Sequence, residues 1–511
     1  MSFYDRLQGL SADRLRGIRR GIEKESLRSR PSGALALTPH PQPLGSPLTH
    51  PHITTDYSES LVELITGVHA GVDDCLTELT HIHQFVYRTL AAAGDERLWV
   101  GSMPCGLPTD ETIPLARYGS SNVGRAKSVY RMGLGLRYGR RMQTIAGIHY
   151  NWSLPGLSNA EHFGLIRNFR RRSFLLLVLF GASPAVCQTF VAGRDHGLEM
   201  LSPGTHYLPH ATSLRMGRLG YQSDAQSALA VSYNGLDSYA ASLQDALTRP
   251  YPAYERLGVQ SPGGDYNQLA TSLLQIENEF YGTIRPKRVI QAAERPLHAL
   301  RTRGVEYIEV RCMDLDPFEP VGIAPQTLRF LDVFLLQCLL AESPPDTPDE
   351  IAALGRNQHQ TAARGRKPGL QLEREGQQIA LTDWAAELLT EAEPVARALD
   401  AAHGQPAGDG DYSAALSAAR QSLKSPETLP AARVLTAMAS DFDNVYTAFM
   451  NAQAEQTRRV LLGLPWDDAM QRCFDKLSER SNRARETIEH GDTVDFEGYR
   501  QDYVAPTRLQ G

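Results

Sequence analysis

Residues 145–154 read Ile145-Ala146-Gly147-Ile148-His149-Tyr150-Asn151-Trp152-Ser153-Leu154. Ala146, Ile148, Tyr150, Trp152 and Leu154 fall on one side of an extended chain. Ile145, Gly147, His149, Asn151 and Ser153 fall on the other. This alternation predicts a β-strand with one packed face and one polar face. Strands of parallel sheets are covered on both faces and read as continuous apolar runs, so the pattern points to an antiparallel sheet. Ile22–Arg28 alternates likewise, Ser60–Thr66 suits a strand or a helix, and Leu229–Tyr233, Leu273–Tyr281 and Val305–Leu315 are further strand candidates.

Helical spacing surrounds these strands. Residues 4–20 predict one helix, and residues 73–92 another, with Cys75, Leu76, Leu79, Ile82, Phe85 and Val86 near one stripe. Phe174–Phe180 is a buried helix or strand. From about residue 324 helices are expected to dominate, beginning with the apolar Leu328–Leu340. The chain therefore reads as α/β (α+β), with a catalytic body over 1–323 and a mainly helical part over 324–511 packed on it.

Composition removes several classes of function. Of 511 residues, 42% are hydrophobic and 22% charged, which suits a globular protein with a large core. Fifty-two basic residues against 58 acidic ones give a net charge of −6. A chain built to hold nucleic acid carries a basic surplus, so no nucleic acid partner is expected. Phe174–Phe180 is far shorter than the roughly 20 apolar residues that span a bilayer, so no membrane is expected either. The first residues show no apolar signal segment. Six scattered cysteines with no Cys-x-x-Cys pair make neither a disulfide framework nor a zinc ribbon. A cytoplasmic, reducing location is the expectation, with Cys105 a small buried apolar residue.

The chemical signal is a set of carboxylates on strand faces. Glu23 and Glu25 lie two apart, on one side of a strand, roughly 6 to 7 Å from each other at the backbone. Like charges so placed repel unless a cation lies between them. Glu309 and Arg311 share a face, as do Glu277 and Glu279, while Asp56 and Glu63 flank Tyr57–Val62. A plain solvated face would carry the same spacing, and a hydrogen-bonded surface ring would account for His149. An acidic-faced binding protein without chemistry thus stays open. Oxygen donors with one imidazole suit Mg²⁺ or Mn²⁺ better than zinc, and such ions mostly serve phosphoryl chemistry. Neither a Walker A sequence nor a Rossmann fingerprint is present.

The same segments carry a resemblance. Gly21-Ile-Glu-Lys-Glu-Ser-Leu-Arg28, Leu48-Thr-His-Pro-His-Ile-Thr-Thr-Asp56 and Tyr118-Gly-Ser-Ser-Asn-Val-Gly-Arg125 begin a series of motifs. It continues through Gln143–Pro155, Thr212-Ser-Leu-Arg215, Leu274-Gln-Ile-Glu-Asn-Glu279, Ile284-Arg-Pro-Lys287 and Gly304-Val-Glu-Tyr-Ile-Glu-Val-Arg311. In this order they resemble the proteobacterial glutamate–cysteine ligases, also called γ-glutamylcysteine synthetases. The resemblance implies a glutamine synthetase-like fold, in which an antiparallel sheet lines the active site among surrounding helices. It implies an ATP-dependent ligase of glutathione biosynthesis. Such an enzyme joins the γ-carboxylate of L-glutamate to the amine of L-cysteine through γ-glutamyl phosphate, releasing ADP and phosphate.

Residue by residue, the resemblance implies that Glu23, Glu25, Asp56, Glu63, His149 and Glu309 hold Mg²⁺ or Mn²⁺. Arg311 and Arg215 would clamp nucleotide phosphate or glutamate and, with Glu309, carry catalysis. Their forks pair with planar or tetrahedral anions through two hydrogen bonds. Tyr130, Arg131, Gln143, Arg215 and Tyr221 would bind substrate, four of them on the cysteine side. The expected partners are small molecules, L-glutamate, L-cysteine and ATP, and the expected state is a monomer with at most weak self-association. A ligase for a different amine and a non-catalytic regulator are the alternatives.

Overall fold

The computed structural model describes residues 2–220, 224–227, 229–291 and 293–510. Its strands are β1 (Arg19–Ser29), β2 (Ile53–Thr55), β3 (Leu61–Ile65), β4 (Arg97–Leu98), β5 (Ile148–Ser153) and β6 (Ala185–Cys187). They continue with β7 (Glu199–Ser202), β8 (Thr205–Tyr207), β9 (Ile284–Lys287), β10 (Tyr307–Met313), β11 (Gln371–Arg374) and β12 (Gln377–Ala380). The main sheet has the order β2-β3-β1-β5-β10-β9, with β4 added beside β1. Every pairing in it is antiparallel, as the half-polar strand at 145–154 requires.

Register explains the two faces. Ile22 lies opposite Tyr150, and Val310 and Ile308 lie beside Tyr150 and Trp152. All five side chains are buried. Burial of each such apolar side chain contributes about 1.5–3 kcal/mol relative to exposure. The helices Val72–Ala93 and Phe174–Phe180 pack on this sheet. The helix Pro325–Leu340 joins it through Asp332, which accepts a hydrogen bond from Tyr150 Oη (2.7 Å) and pairs with Arg20 (2.8 Å). Both partners of that ion pair are fully buried. Removing either would strand a charge, at about 3–5 kcal/mol.

Several expectations are corrected. The segment 4–20 is two helices, Phe3–Gln8 and Ala12–Arg16, each started by a serine, Ser2 or Ser11, whose side chain caps the first turn. Leu229–Tyr233 is irregular, and Leu273–Tyr281 contains a 3₁₀ turn at Glu277–Glu279 instead of a strand. Glu277 there is bound by Arg295 (2.7 Å) and Glu279 by Arg137 (2.8 Å). The alternating carboxylates answer buried arginines, not a strand face. Cys105 is joined to Cys187 by a disulfide, so it is not a lone buried thiol. The other cysteines are free.

One helix had no clear sequence signal. Asn122–Tyr138 carries Gly124, Gly133 and Gly135, and glycine disfavours helix by about 1 kcal/mol per residue. Tertiary contact overrides that cost. A β-carbon at Gly133 would stand 2.3 Å from Gln275 Oε1, so glycine admits the neighbouring segment. Beyond Pro325 the chain is helical apart from the β11–β12 hairpin. No helix among the described residues is long and apolar enough to cross a membrane.

Candidate active site

The polar face of the main sheet gathers the predicted carboxylates. Glu23 on β1 faces His149 on β5, and Glu25 faces Glu63 on β3. Glu23 Oε2 lies 3.2 Å from His149 Nδ1, and Glu23 Oε1 accepts a hydrogen bond from Asn151 Nδ2 at 2.9 Å. Donor atoms of Glu23, Glu63 and His149 all lie within 4.8 Å of one another. Glu25 accepts a hydrogen bond from the Gly147 backbone N–H at 2.6 Å. Glu309 on β10 is ringed by three cations, Arg311 at 3.0 Å, Lys287 at 3.2 Å and Arg285 at 4.0 Å, with the His149 ring at 3.9 Å.

These neighbours split the carboxylates into two groups. Burial would raise the Glu309 carboxyl, but Lys287, Arg311 and His149 hold it well below its ordinary value. Glu23 is lowered as well, its burial outweighed by the His149 hydrogen bond and nearby charge. Glu25 goes the other way, pushed up to about 8 by burial and by Asp56. Glu63 is raised well above the usual range by burial and by Glu23, Asp56 and Glu25. Carboxylates this close repel one another, and a shared cation would relieve that repulsion. Five carboxylates and one imidazole fit a hard divalent cation, and no thiolate stands among them.

Two arginines, Arg215 and Arg311, border these carboxylates. Arg215 is buried; its Nη2 donates to the Arg311 carbonyl at 2.8 Å, and its Nη1 lies 3.7 Å from Asp314. Asp314 accepts hydrogen bonds from Ser183 Oγ (2.6 Å), Ser213 Oγ (3.0 Å) and the Ala182 N–H (2.9 Å). Arg215 and Arg311 line a cavity of about 140 Å³ with Arg170, Tyr233, Tyr281 and Gln358. A far larger cavity, about 900 Å³ around Trp384, lies elsewhere. Arginines there are engaged with Glu350, Glu373, Glu387 and Glu391, and none of the predicted site residues lines it.

The predicted substrate-binding residues separate. Gln143 donates to Tyr281 Oη at 2.8 Å, and Tyr281 packs edge-on against Tyr138. Tyr130 lines a second cavity of about 210 Å³ with Arg131, Lys127 and Tyr503. Arg131 donates from Nε to the Asp56 carbonyl and from Nη1 to the Lys127 carbonyl (2.9 Å), and its guanidinium stacks over Tyr118. It braces the loop that presents Asp56. Tyr221 lies outside the described residues. Sequence reasoning passed over Asn151, Tyr281, Arg285 and Lys287. Arg285 and Lys287 were legible as residues two apart, but Pro286 between them masks a strand. Proline is tolerated on an edge strand, which β9 is.

A family profile described as glutamate-cysteine ligase matches residues 6–361. A glutamate–cysteine ligase of Alcanivorax borkumensis is 46% identical over 515 residues, spanning 96% of this chain and 97% of its own. One from Pseudomonas fluorescens is 47% identical, spanning 95% of this chain and 93% of its own. Among solved structures, glutamate–cysteine ligase of Francisella tularensis in complex with AMP superposes with a TM-score of 0.90 at 34% identity. It covers 96% of this chain and 97% of that one. A bifunctional glutathione synthetase of Pasteurella multocida shares the fold, with a TM-score of 0.72 at 22% identity, over 94% of this chain and 58% of that one.

Proposed function

The chain belongs to the glutamate–cysteine ligase family, and from that premise we propose how its residues divide the reaction. The enzyme joins the γ-carboxylate of L-glutamate to the amine of L-cysteine at the expense of ATP, the first step of glutathione biosynthesis. A carboxylate is a poor acyl donor because its leaving group would be an oxide. Phosphorylation by ATP gives γ-glutamyl phosphate, which the amine attacks with loss of phosphate. The first step brings two anions together, so positive charge must screen them.

The observation that carries this reading is the joint placement of Glu23, Glu63, His149 and Glu309 with Arg311 on one sheet face. Glu23, Glu25, Asp56, Glu63, His149 and Glu309 would hold Mg²⁺ or Mn²⁺, which supplies charge neutralisation for the transferring phosphoryl group when bound. Arg311 and Arg215 orient the anionic groups, and Arg215 is held for that by Asp314. Tyr130, Arg131, Gln143 and Tyr221 are the candidates for the cysteine side, Gln143 beside Tyr281 and Tyr130 with Arg131 at a separate cavity. Residues 1–323 form the catalytic core, 324–511 its helical complement, and the chain acts as a cytoplasmic monomer.

ADP release that requires ATP, glutamate and cysteine together tests this. Release that ignores the amine would overturn the ligase reading. Equal turnover with 2-aminobutyrate, which lacks the thiol, would show that sulfur is not what the pocket recognises.

A further inference from the structure

We infer that Lys287 is a nucleotide-phosphate ligand that serves as the counter-ion of Glu309 until a divalent cation takes its place. The inference rests on the ligase reading, and it concerns a residue to which the reaction has so far given no part. Lys287 lies on the edge strand β9 opposite Tyr307, and Arg285 lies opposite Glu309. The two basic residues are two positions apart, so both point to the carboxylate face. The Lys287 amine lies 3.2 Å from Glu309 Oε1 and has no other hydrogen-bond acceptor among the described residues.

Glu309 is 1% exposed and already has three permanent cations around it. A divalent ion joining that crowd would be repelled by all three, and the movement of one of them away from Glu309 would relieve that repulsion. Arg285 is tied by Nη2 to the carbonyls of Asn278 (2.8 Å) and Phe280. Arg311 bonds Glu309 at 3.0 Å and reaches toward His149 Nδ1. Lys287 alone has a single bond, a flexible four-carbon stem and the greatest side-chain exposure of the three, 28% against 23% and 8%. It is the cation that can move. An ammonium displaced from Glu309 needs a new anion, and the polyphosphate of ATP brings one to this face. Lysine suits that contact as a strongly hydrated point charge with three donors. The same amine therefore opposes the metal in the empty site and supports the nucleotide in the filled one.

Lys287→Met in the full chain keeps the stem and removes the charge. Mn²⁺ alone, titrated into the nucleotide-free protein and followed by electron paramagnetic resonance, should bind at least about fivefold more tightly than in the parent, or at one additional site. The KM for ATP should rise about tenfold or more, the scale of one lost charge-assisted hydrogen bond, while the KM for glutamate stays unchanged. Lys287→Arg should restore the weak Mn²⁺ binding of the parent but only part of the ATP affinity. Mn²⁺ binding that is unchanged or weaker in Lys287→Met overturns the counter-ion role. An unchanged KM for ATP overturns the phosphate contact. If Lys287→Met lowers the melting temperature, Lys287→Gln takes its place in both measurements. Failure of the ligase reading would look different: the parent would release no ADP with glutamate and cysteine, while the Mn²⁺ titrations would stand.

Discussion

Glu23 and His149 face each other across β1 and β5, Cα partner to Cα partner, with Oε2 3.2 Å from Nδ1. Asn151 holds the other oxygen of Glu23 at 2.9 Å. A carboxylate and an imidazole fixed in this way, with Glu63 within reach, could hold a hard divalent cation. Activity should vanish when divalent ions are removed exhaustively and return with Mg²⁺ or Mn²⁺. Glu23→Gln should raise the Mg²⁺ concentration for half-maximal turnover at least about tenfold. Full turnover without divalent ions would end the metal assignment.

Glu25 and Glu63 give that requirement a pH dependence. Glu25 is pushed up to about 8 and Glu63 is also raised, each by burial first and then by neighbouring carboxylates. Without metal, the folded protein binds more protons at these groups than the unfolded chain does. Their contribution to stability is therefore present below the unfolded carboxyl value, about 4.3, and is lost as pH rises toward 8. A divalent ion bound by these carboxylates would displace the protons and relieve the repulsion. The gain in melting temperature on adding Mg²⁺ should grow steadily from pH 5 to pH 8, with protons released on binding in calorimetry. A gain independent of pH would show that neither carboxyl is a ligand.

Arg311 shares its strand face with Glu309 and pairs with it at 3.0 Å. Arg311→Lys keeps the charge but not the fork that can hold two oxygens in a fixed plane. A fall in kcat of about 10²-fold, roughly 3 kcal/mol, is expected, with a smaller change in KM. A kcat near that of the parent would make Arg311 a structural partner of Glu309 only.

The alternation at 145–154 was enough to read an antiparallel sheet, because period-2 burial leaves a trace in every residue of the strand. Glu23, Glu63 and His149 could be placed together only through the family resemblance. Spacing says which residues share a strand face, but register between β1, β3 and β5 is set by the whole sheet. Lys287 and Arg285 were hidden by Pro286, and the helix Asn122–Tyr138 by its glycines. Glu277 and Glu279 misled in the opposite sense. Their spacing mimics a strand, yet each carboxylate is buried against an arginine distant in sequence.

Gly147 and Arg215 carry the last prediction. A β-carbon on Gly147 would stand 2.0 Å from Arg215 Nη2 and 2.5 Å from Cζ. The guanidinium occupies the space that a side chain at position 147, just before β5, would need. Gly147 also donates its N–H to Glu25 Oε2 at 2.6 Å, so one residue fixes a proposed metal ligand and admits a proposed anion clamp. Arg215 cannot simply step aside, because Asp314 faces Nη1 at 3.7 Å while Ser183, Ser213 and the Ala182 N–H hold Asp314. Gly147→Ala should therefore cost about 10²-fold or more in kcat/KM for glutamate and ATP, a loss of roughly 3 kcal/mol. Asp314→Ala removes the carboxylate that faces the buried Arg215 guanidinium. It should lower stability by about 3–5 kcal/mol, seen as a clear drop in melting temperature, and reduce turnover as well. The pair separates position from charge. If Arg215 matters only as a structural cation, Gly147→Ala should lower the melting temperature and turnover in step, as Asp314→Ala does. If Arg215 orients the anionic groups, Gly147→Ala should lose turnover well beyond any loss of stability, measured at a temperature where both variants are fully folded. Near-parental turnover in folded Gly147→Ala protein would remove Arg215 from the reaction.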